Sequence, residues 1–553
     1  MPDFFQQAPA RAALFPSHSP LRALLRWKLA PQAFVAIEPD IASFAARCAG
    51  PLWDLARDAE REPPEHLAYD AWGRRTDALR LAPAWRALRA EVATQGLVAL
   101  AYDECGGAAR LHQFAKLFLF HPSSAFVSCP VAMTDGAARI LARFKADKAL
   151  GEAFAHLTSR DPAQAWTSGQ WMTERAGGSD VSQTETQAIL DGGQWRLNGA
   201  KFFASAAESE IALALARKPD AQQGSRGLTL FMARPRHADG AWNGVVVRRL
   251  KDKLGTRALA TAELELSGCP AIQIGVDGEG VRNVATMLNV TRLHNSICAM
   301  GEAAAACALL EDYSQKRMAF GRPLSGHALH RRLLAEMRAD VFAGLILTLE
   351  LASLLGREDA NEASERESRI LRLMTPVCKI VTAEIAVRVV TKTVEGFGGA
   401  GYMEDVGIAR QLRDAHVFPI WEGPPNVLAL DMLRALGGAD GLEPLIADME
   451  DRLKSAAEWR DAHDALAGHV AALRESCGAL LAADADSQQA SARDLALHLG
   501  ALYPAVLAVS FAKAQPTTAA IAAVPRALAA RVTSWRPTTS QDVEAALFPQ
   551  WRD

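Results

Sequence analysis

The chain has 553 residues, half of them hydrophobic and 22% charged, with a net charge of -3. That length exceeds one compact core and indicates roughly three or four domains, while the composition is globular rather than disordered. So small a net charge excludes a whole-chain electrostatic pull toward nucleic acid and leaves only a local patch for one.

Residues 1–165 are predicted to be mainly helical. Pro9, Pro16, Pro20 and Pro31 interrupt the opening, and Ile41–Ala56 and Trp85–Val98 then carry apolar residues at three- and four-residue spacing. Between them, Pro63-Pro64 and Tyr69-Asp70-Ala71-Trp72-Gly73-Arg74-Arg75 read as a loop or tight turn with aromatic anchors. His112–Phe120 and Ala137–Phe154 continue the helical pattern.

Residues 166–278 switch to short β-rich runs. Thr184–Leu190 and Gln194–Leu197 flank Asp191-Gly192-Gly193, a hairpin signal, and Ile211–Ala216, Gly227–Ala233, Val245–Leu250 and Thr261–Leu266 follow. About eight short strands predict a small β-barrel or sandwich. Residues 279–438 return to the helical period, with long segments near 281–317, 327–356 and 365–396 and a shorter one after Pro425. This is a four-helix-bundle pattern with turns at Gly321-Arg322-Pro323 and Gly396–Gly401. Residues 439–553 form an alanine- and leucine-rich helical extension. The fold class expected is α+β: a helical domain, a β domain, a helical bundle and a helical extension.

Cys48, Cys105, Cys129, Cys269, Cys298, Cys307, Cys378 and Cys477 form no Cys-x-x-Cys pair and no cluster with histidine. Reduced, mostly buried thiols and no metal site are expected, which fits a cytoplasmic location. Met1–Gln7 lacks a charged segment before an apolar core, and no run of 18 uncharged apolar residues appears, so neither a signal peptide nor a membrane span is expected.

The stretch Trp171–Ser205 carries the first chemistry. Thr173-Glu174-Arg175-Ala176-Gly177-Gly178-Ser179-Asp180-Val181 is a turn rich in hydroxyls and glycine, and Gly199-Ala200-Lys201-Phe202-Phe203-Ala204-Ser205 is a strand. Phe203 and Ser205, two apart, share a strand face and would present a ring and a hydroxyl to one neighbour. Thr173 and Ser179 would bracket it, with the glycine backbone close to an anionic group. A flat, phosphorylated cofactor fits this arrangement; an ordinary polar loop between two strands would read the same way.

These motifs, in their order, resemble those of the acyl-CoA dehydrogenase flavoproteins. Thr173–Val181 is similar to that family's Thr-Glu-Pro-Gly-x-Gly-Ser-Asp turn, and Gly199–Ser205 to its second flavin strand. Lys253-Leu254-Gly255-Thr256-Arg257, Arg317-Met318-Ala319-Phe320-Gly321, Glu395–Tyr402 and Ile420-Trp421-Glu422-Gly423 match further family turns. The extension, Trp421 and the segment from Pro63 to Trp85 resemble the AidB-like branch, linked to the adaptive response to DNA alkylation.

The resemblance implies an FAD site shared between subunits of a homotetramer. In it Thr173 and Ser179 meet the flavin and its pyrophosphate, and Phe203 and Ser205 lie against the ring. Arg317 and Phe320 hold the diphosphate, Gly398 and Gly399 approach the adenosine end, and Asn426 stands where glutamine is common. Ser179 and Arg292 are implied as substrate contacts. Glu422 is implied as the base that takes the α-proton of an acyl-CoA thioester, short or branched, while flavin N5 takes the β-hydride. The electron acceptor is left open.

The other family position for a base reads Thr291-Arg292, without an acid, which favours Glu422; a helix-start glutamate beside Pro424-Pro425 is the alternative. Arg175, Glu395, Ala328 and Pro424 depart from the family pattern around flavin and substrate. Two other readings are a double-stranded-DNA-associated flavoprotein, using Arg526, Arg531 and Arg536, and a flavoprotein without turnover. Those three arginines also fit a solvated polar face.

Overall fold

The computed structural model describes residues 6–102, 106–438, 441–454, 460–514 and 526–539. It opens with helices α1 (Pro20–Lys28), α2 (Pro31–Ala49) and α3 (Pro51–Arg61), then strands β1 (Glu65–Tyr69) and β2 (Arg75–Arg80). Helices α4 (Pro83–Thr94), α5 (Ala109–Phe120), α6 (Ser128–Leu141) and α7 (Lys148–Leu157) follow. Pro20, Pro31, Pro51 and Pro83 start helices rather than break them, because the first helical position needs no N–H and suits the fixed φ of proline. Ser19 caps α1 by accepting from the Arg22 N–H at 3.3 Å.

Two predicted helical stretches are corrected. Ile41–Ala56 splits at Gly50-Pro51, and Ala137–Phe154 splits where Asp147 caps α7 through the Ala149 and Leu150 N–H groups. The predicted loop at Tyr69–Arg75 is the tip of a β-hairpin. Asp70 Oδ1 accepts from the N–H groups of Trp72 and Arg74, both at 2.9 Å, and turns the chain. Trp72 is no anchor: it is 93% exposed.

Next come β3 (Ser168–Gln170), β4 (Gln187–Asp191), β5 (Gln194–Ser205), β6 (Ile211–Arg217), β7 (Leu228–Ala233), β8 (Val245–Leu250) and β9 (Thr261–Ile274). Helix α8 (Gly280–Lys316), the two-residue strands β10 (Met318–Ala319) and β11 (Arg322–Pro323), and helices α9 (Ala328–Asp359) and α10 (Glu365–Phe397) come after them. The last described helices are α11 (Ile408–Ala415), α12 (Pro425–Leu436), α13 (Glu443–Lys454), α14 (Arg460–Ala482) and α15 (Ala485–Ala514).

The chain divides into two compact units. One, from residues 46–104 and 119–294, is built on the strands. Its seven-stranded sheet closes on itself, because β6 pairs with β4 and β7, β4 with β5, and β9 with β5, β7 and β8. Of the two predicted architectures, it is the barrel. Trp171, Leu197, Phe231 and Leu264 fill its core, with Ala188, Ala212, Ala214 and Ala271 as small neighbours. Alternating large and small inward residues suit a narrow barrel. The β1–β2 hairpin is tied to it: Asp77 Oδ2 accepts from Arg75 Nε at 2.8 Å and from the Val247 N–H at 3.2 Å.

The other unit, from residues 1–45, 105–118 and 295–553, is helical. Ser364 and Glu367 form a capping box at the start of α10, satisfying backbone donors at that terminus. Helices α8, α9 and α15 each contain a stretch long and apolar enough to cross a membrane, yet 83%, 78% and 83% of those stretches are buried inside the protein. Their apolarity is used in packing. The seven described cysteines are buried, and Cys105 lies outside the described residues. Burial pushes the Cys378 thiol up to about 11 and that of Cys477 to about 12, so both stay protonated.

Candidate functional site

In the barrel unit, Trp171–Ser205 forms a cradle. The Thr173 carbonyl accepts from the Phe202 N–H at 2.9 Å, which lays the glycine-rich turn beside β5. A Cβ on Gly178 would come within 2.6 Å of Thr173 Oγ1, so only glycine lets the turn close on that hydroxyl. Between Lys201 and Ala204 strand β5 carries an extra residue relative to β9. This bulge leaves Phe203 51% exposed while Ala204 is fully buried. Ser205 Oγ lies 3.2 Å from Thr261 Oγ1. Lys251 Nζ sits 4.5 Å from the Phe203 ring centre and 3.3 Å from that of Phe202. Ser179 and Arg175 are exposed on the turn. An accessible ring, two hydroxyls and a close backbone suit one face of a planar, phosphorylated group.

Two residues behind this cradle were not singled out from the sequence. Glu174 and Lys201 are buried and ion-paired, and Glu174 also accepts from Thr186 Oγ1 at 2.6 Å and the Glu185 N–H at 2.7 Å. Burial pushes the Glu174 carboxyl up, but Lys201 and these donors outweigh it and hold it below its ordinary value. The signal was present: a charged residue at an inward strand position calls for a buried partner. Farther along, Lys253 Nζ donates to the carbonyls of Thr256 and Leu259, both at 2.7 Å, and shapes the Leu254–Arg257 loop.

Arg292 lies in α8 and is 8% exposed; Thr291 beside it is buried. Also in this unit, Asp135 joins His294 Nε2 at 2.6 Å to the Tyr102 hydroxyl at 2.7 Å.

In the helical unit, β10 and β11 are joined by Phe320-Gly321, with φ of 50° and 79°. A two-residue hairpin of this type has both centres in the left-handed region, which glycine accepts and phenylalanine resists. The turn presents Phe320 98% exposed, and Arg317 at its base is exposed too. At the end of α10, a Cβ on Gly398 or Gly399 would meet no atom within 4 Å, so the backbone there is open to a ligand.

The Phe418–Gly423 turn holds Glu422, whose φ is 57°. A non-glycine residue in that region costs about 1 kcal/mol or more and persists only where its surroundings impose it. Here Asn295 Nδ2 donates to the carbonyls of Phe418 at 3.1 Å and Trp421 at 3.5 Å, and Lys379 Nζ donates to that of Gly423 at 2.7 Å. Lys379, fully buried in the apolar run Val377–Val381 of α10, is a clamp that sequence reading missed. Asn426 is exposed in the first turn of α12.

Of the three C-terminal arginines, Arg531 is engaged: its Nη1 lies 2.6 Å from Asp340 Oδ1, and its Nη2 donates to the Glu336 carbonyl at 3.2 Å. Arg526 and Arg536 are exposed.

Residues 7–163 match the Adaptive response protein AidB N-terminal domain, 169–269 the Acyl-CoA dehydrogenase middle domain and 278–437 the Acyl-CoA dehydrogenase C-terminal domain. Acyl-CoA dehydrogenase family member 11 of Caenorhabditis elegans is 44% identical over 429 residues, covering 76% of this chain and 70% of that protein. The acyl-CoA dehydrogenase-type protein AidB of Escherichia coli (strain K12) is 33% identical, covering 71% of this chain and 73% of that one. The crystal structure of Caenorhabditis elegans ACDH-11 in complex with C11-CoA superposes with a TM-score of 0.94 at 36% identity, covering 99% of this chain and 96% of that one. The chain belongs to the acyl-CoA dehydrogenase family, in its branch with an AidB-type N-terminal domain.

Proposed function

We propose that this protein is an FAD-dependent acyl-CoA dehydrogenase in which Glu422 takes the α-proton of a short or branched acyl-CoA. The observation that carries the reading is Glu422 itself. It is a carboxylate held in a strained backbone conformation by a buried lysine and a buried asparagine. Strain of this kind, maintained by dedicated partners, fits a positioned base better than an incidental helix-start glutamate. Acyl-CoA as the ligand class is supported by the C11-CoA bound to the ACDH-11 relative.

Thr173, Phe203 and Ser205 would hold the flavin ring, and Ser179 the pyrophosphate or the pantetheine arm. Arg317 and Phe320 would hold the diphosphate end, with Gly398 and Gly399 at the adenosine end, and Asn426 near them. The accessible Phe203 ring and the open Gly398-Gly399 backbone fit these roles. When bound, FAD supplies the two-electron acceptor for the β-carbon's hydride. Glu422 accepts the α-proton, leaving the α,β-unsaturated thioester. Arg292 would orient the substrate. The buried protonated thiols suit a reducing, cytoplasmic setting.

Anaerobic addition of a matching acyl-CoA is expected to bleach the flavin, and Glu422→Gln to slow that step at least about a hundredfold. An oxidised flavin spectrum unchanged by a broad acyl-CoA panel would remove this reading and favour a flavoprotein without turnover. A DNA-associated role has less support, because Arg531 is occupied by Asp340 and Glu336.

A further inference from the structure

The barrel unit contains a cavity of 560 Å³ beneath α4, bounded also by the start of α6, the 157–167 loop, Glu208, Glu210 and Arg236. Thr173, Ser179, Phe203 and Ser205 take no part in its wall. Its wall combines apolar residues, among them Leu79, Leu81, Val98 and Val131, with charged ones.

The polar and charged residues of the wall are incompletely paired. Arg89 is taken by Glu210, which also accepts from the Thr167 N–H at 2.7 Å. Arg236 lies 3.8 Å from the Trp242 ring centre and donates through Nη1 to the Gly240 carbonyl at 2.9 Å. That leaves Arg236 Nε, Glu208 Oε2 and Trp85 Nε1 shielded from solvent with no hydrogen-bond partner. A buried polar atom left unmade costs about 1–3 kcal/mol, so a bound group that pairs with these three would be favoured.

We propose that this cavity binds a small carboxylate with an apolar body, its head between Arg236, Glu208 and Trp85 and its hydrocarbon against the apolar residues of the wall. Arg236 and Trp85 are N–H donors, and Glu208 donates when protonated. A carboxylate can accept from all three and makes a charge-assisted bond to Arg236; an ammonium accepts from none, and an alcohol lacks the charge. Arg86 adds positive charge to the wall. Burial is the main reason the Glu208 carboxyl is pushed up to about 7; Glu210 adds to the rise, while its own backbone N–H, Arg89 and Arg236 oppose it. Below that value Glu208 donates to the bound carboxylate, and above it the two repel.

The test is calorimetric titration of the full chain with sodium octanoate at pH 6 and pH 8, with octylamine and octanol as comparators. Octanoate is expected to bind saturably and more tightly at pH 6. Arg236→Met should weaken it about tenfold or more. Glu208→Gln, which keeps a donor but cannot ionise, should flatten the pH difference. Ala163→Phe, on the exposed loop in the wall, narrows the cavity without touching the head groups and should weaken binding too. It decides the matter if Arg236→Met does not fold, and dependence on either residue separates this site from any other acyl site. No saturable heat at pH 6, equal binding of octylamine or octanol, or affinity unchanged by these variants overturns the proposal.

Discussion

The Glu174–Lys201 pair sets the glycine-rich Thr173–Val181 turn against strand β5 from behind. Breaking such a pair from one side leaves an uncompensated buried charge, which costs about 3–5 kcal/mol, whereas removing both partners costs far less. Lys201→Met is therefore expected to lower the free energy of unfolding by about 3 kcal/mol, and Glu174→Met/Lys201→Met to recover most of it. Denaturant unfolding measures both, and a single-variant loss under about 1 kcal/mol would show that the pair does not set the turn. The pH dependence has a definite sign. Glu174 is held below its ordinary value in the folded chain, so its contribution is complete above the unfolded carboxylate range and is lost as pH falls through the lowered value. Both residues stand inside the recognised motifs, but 27 positions separate them, and sequence spacing alone does not reveal that one neutralises the other.

At the scale of elements, buried charge also joins the C-terminal extension to the bundle. Glu350 of α9 is ion-paired with Lys28 of α1 and lies 2.9 Å from Arg452 of α13. Arg452 Nε reaches Asp448 at 2.6 Å, and Asp448 accepts from the Tyr503 hydroxyl of α15 at 2.8 Å. Arg452→Met should cost about 3 kcal/mol and Tyr503→Phe only about 1 kcal/mol, since the first strands charge and the second removes one hydrogen bond. The reverse ranking in thermal unfolding would mean that the helices dock by apolar contact alone. The long helices were legible because their apolar period is sustained and glycine-rich turns end them, as at Phe397-Gly398. The β1–β2 hairpin was not, because Glu65–Tyr69 and Arg75–Arg80 hold few β-branched residues and pair through backbone and charge. The Phe320–Gly321 hairpin shows in the sequence as a turn without its strands, which are two residues each and below any periodic signal.

At the scale of the whole molecule, Phe320 is the residue that a lone chain does not explain. It is 98% exposed at the tip of a hairpin whose backbone disfavours it, beside Met318, which is 56% exposed. An exposed phenylalanine forgoes roughly 2–3 kcal/mol of burial, and glycine would fit the turn with less strain. A partner surface or cofactor that covers the ring accounts for both costs, and the family's FAD site, shared between subunits of a homotetramer, would provide that cover. FAD retention and assembly should then be linked: dilution that lowers the mass by light scattering should release flavin in parallel. Phe320→Ala should weaken FAD binding about tenfold while leaving the helical circular dichroism unchanged, because the exposed ring, 6.2 Å from that of His327, adds little to the fold of its own chain. Flavin held with unchanged affinity by Phe320→Ala, or by a demonstrated monomer, would return the ring to an unexplained surface residue and confine the cofactor site to one subunit.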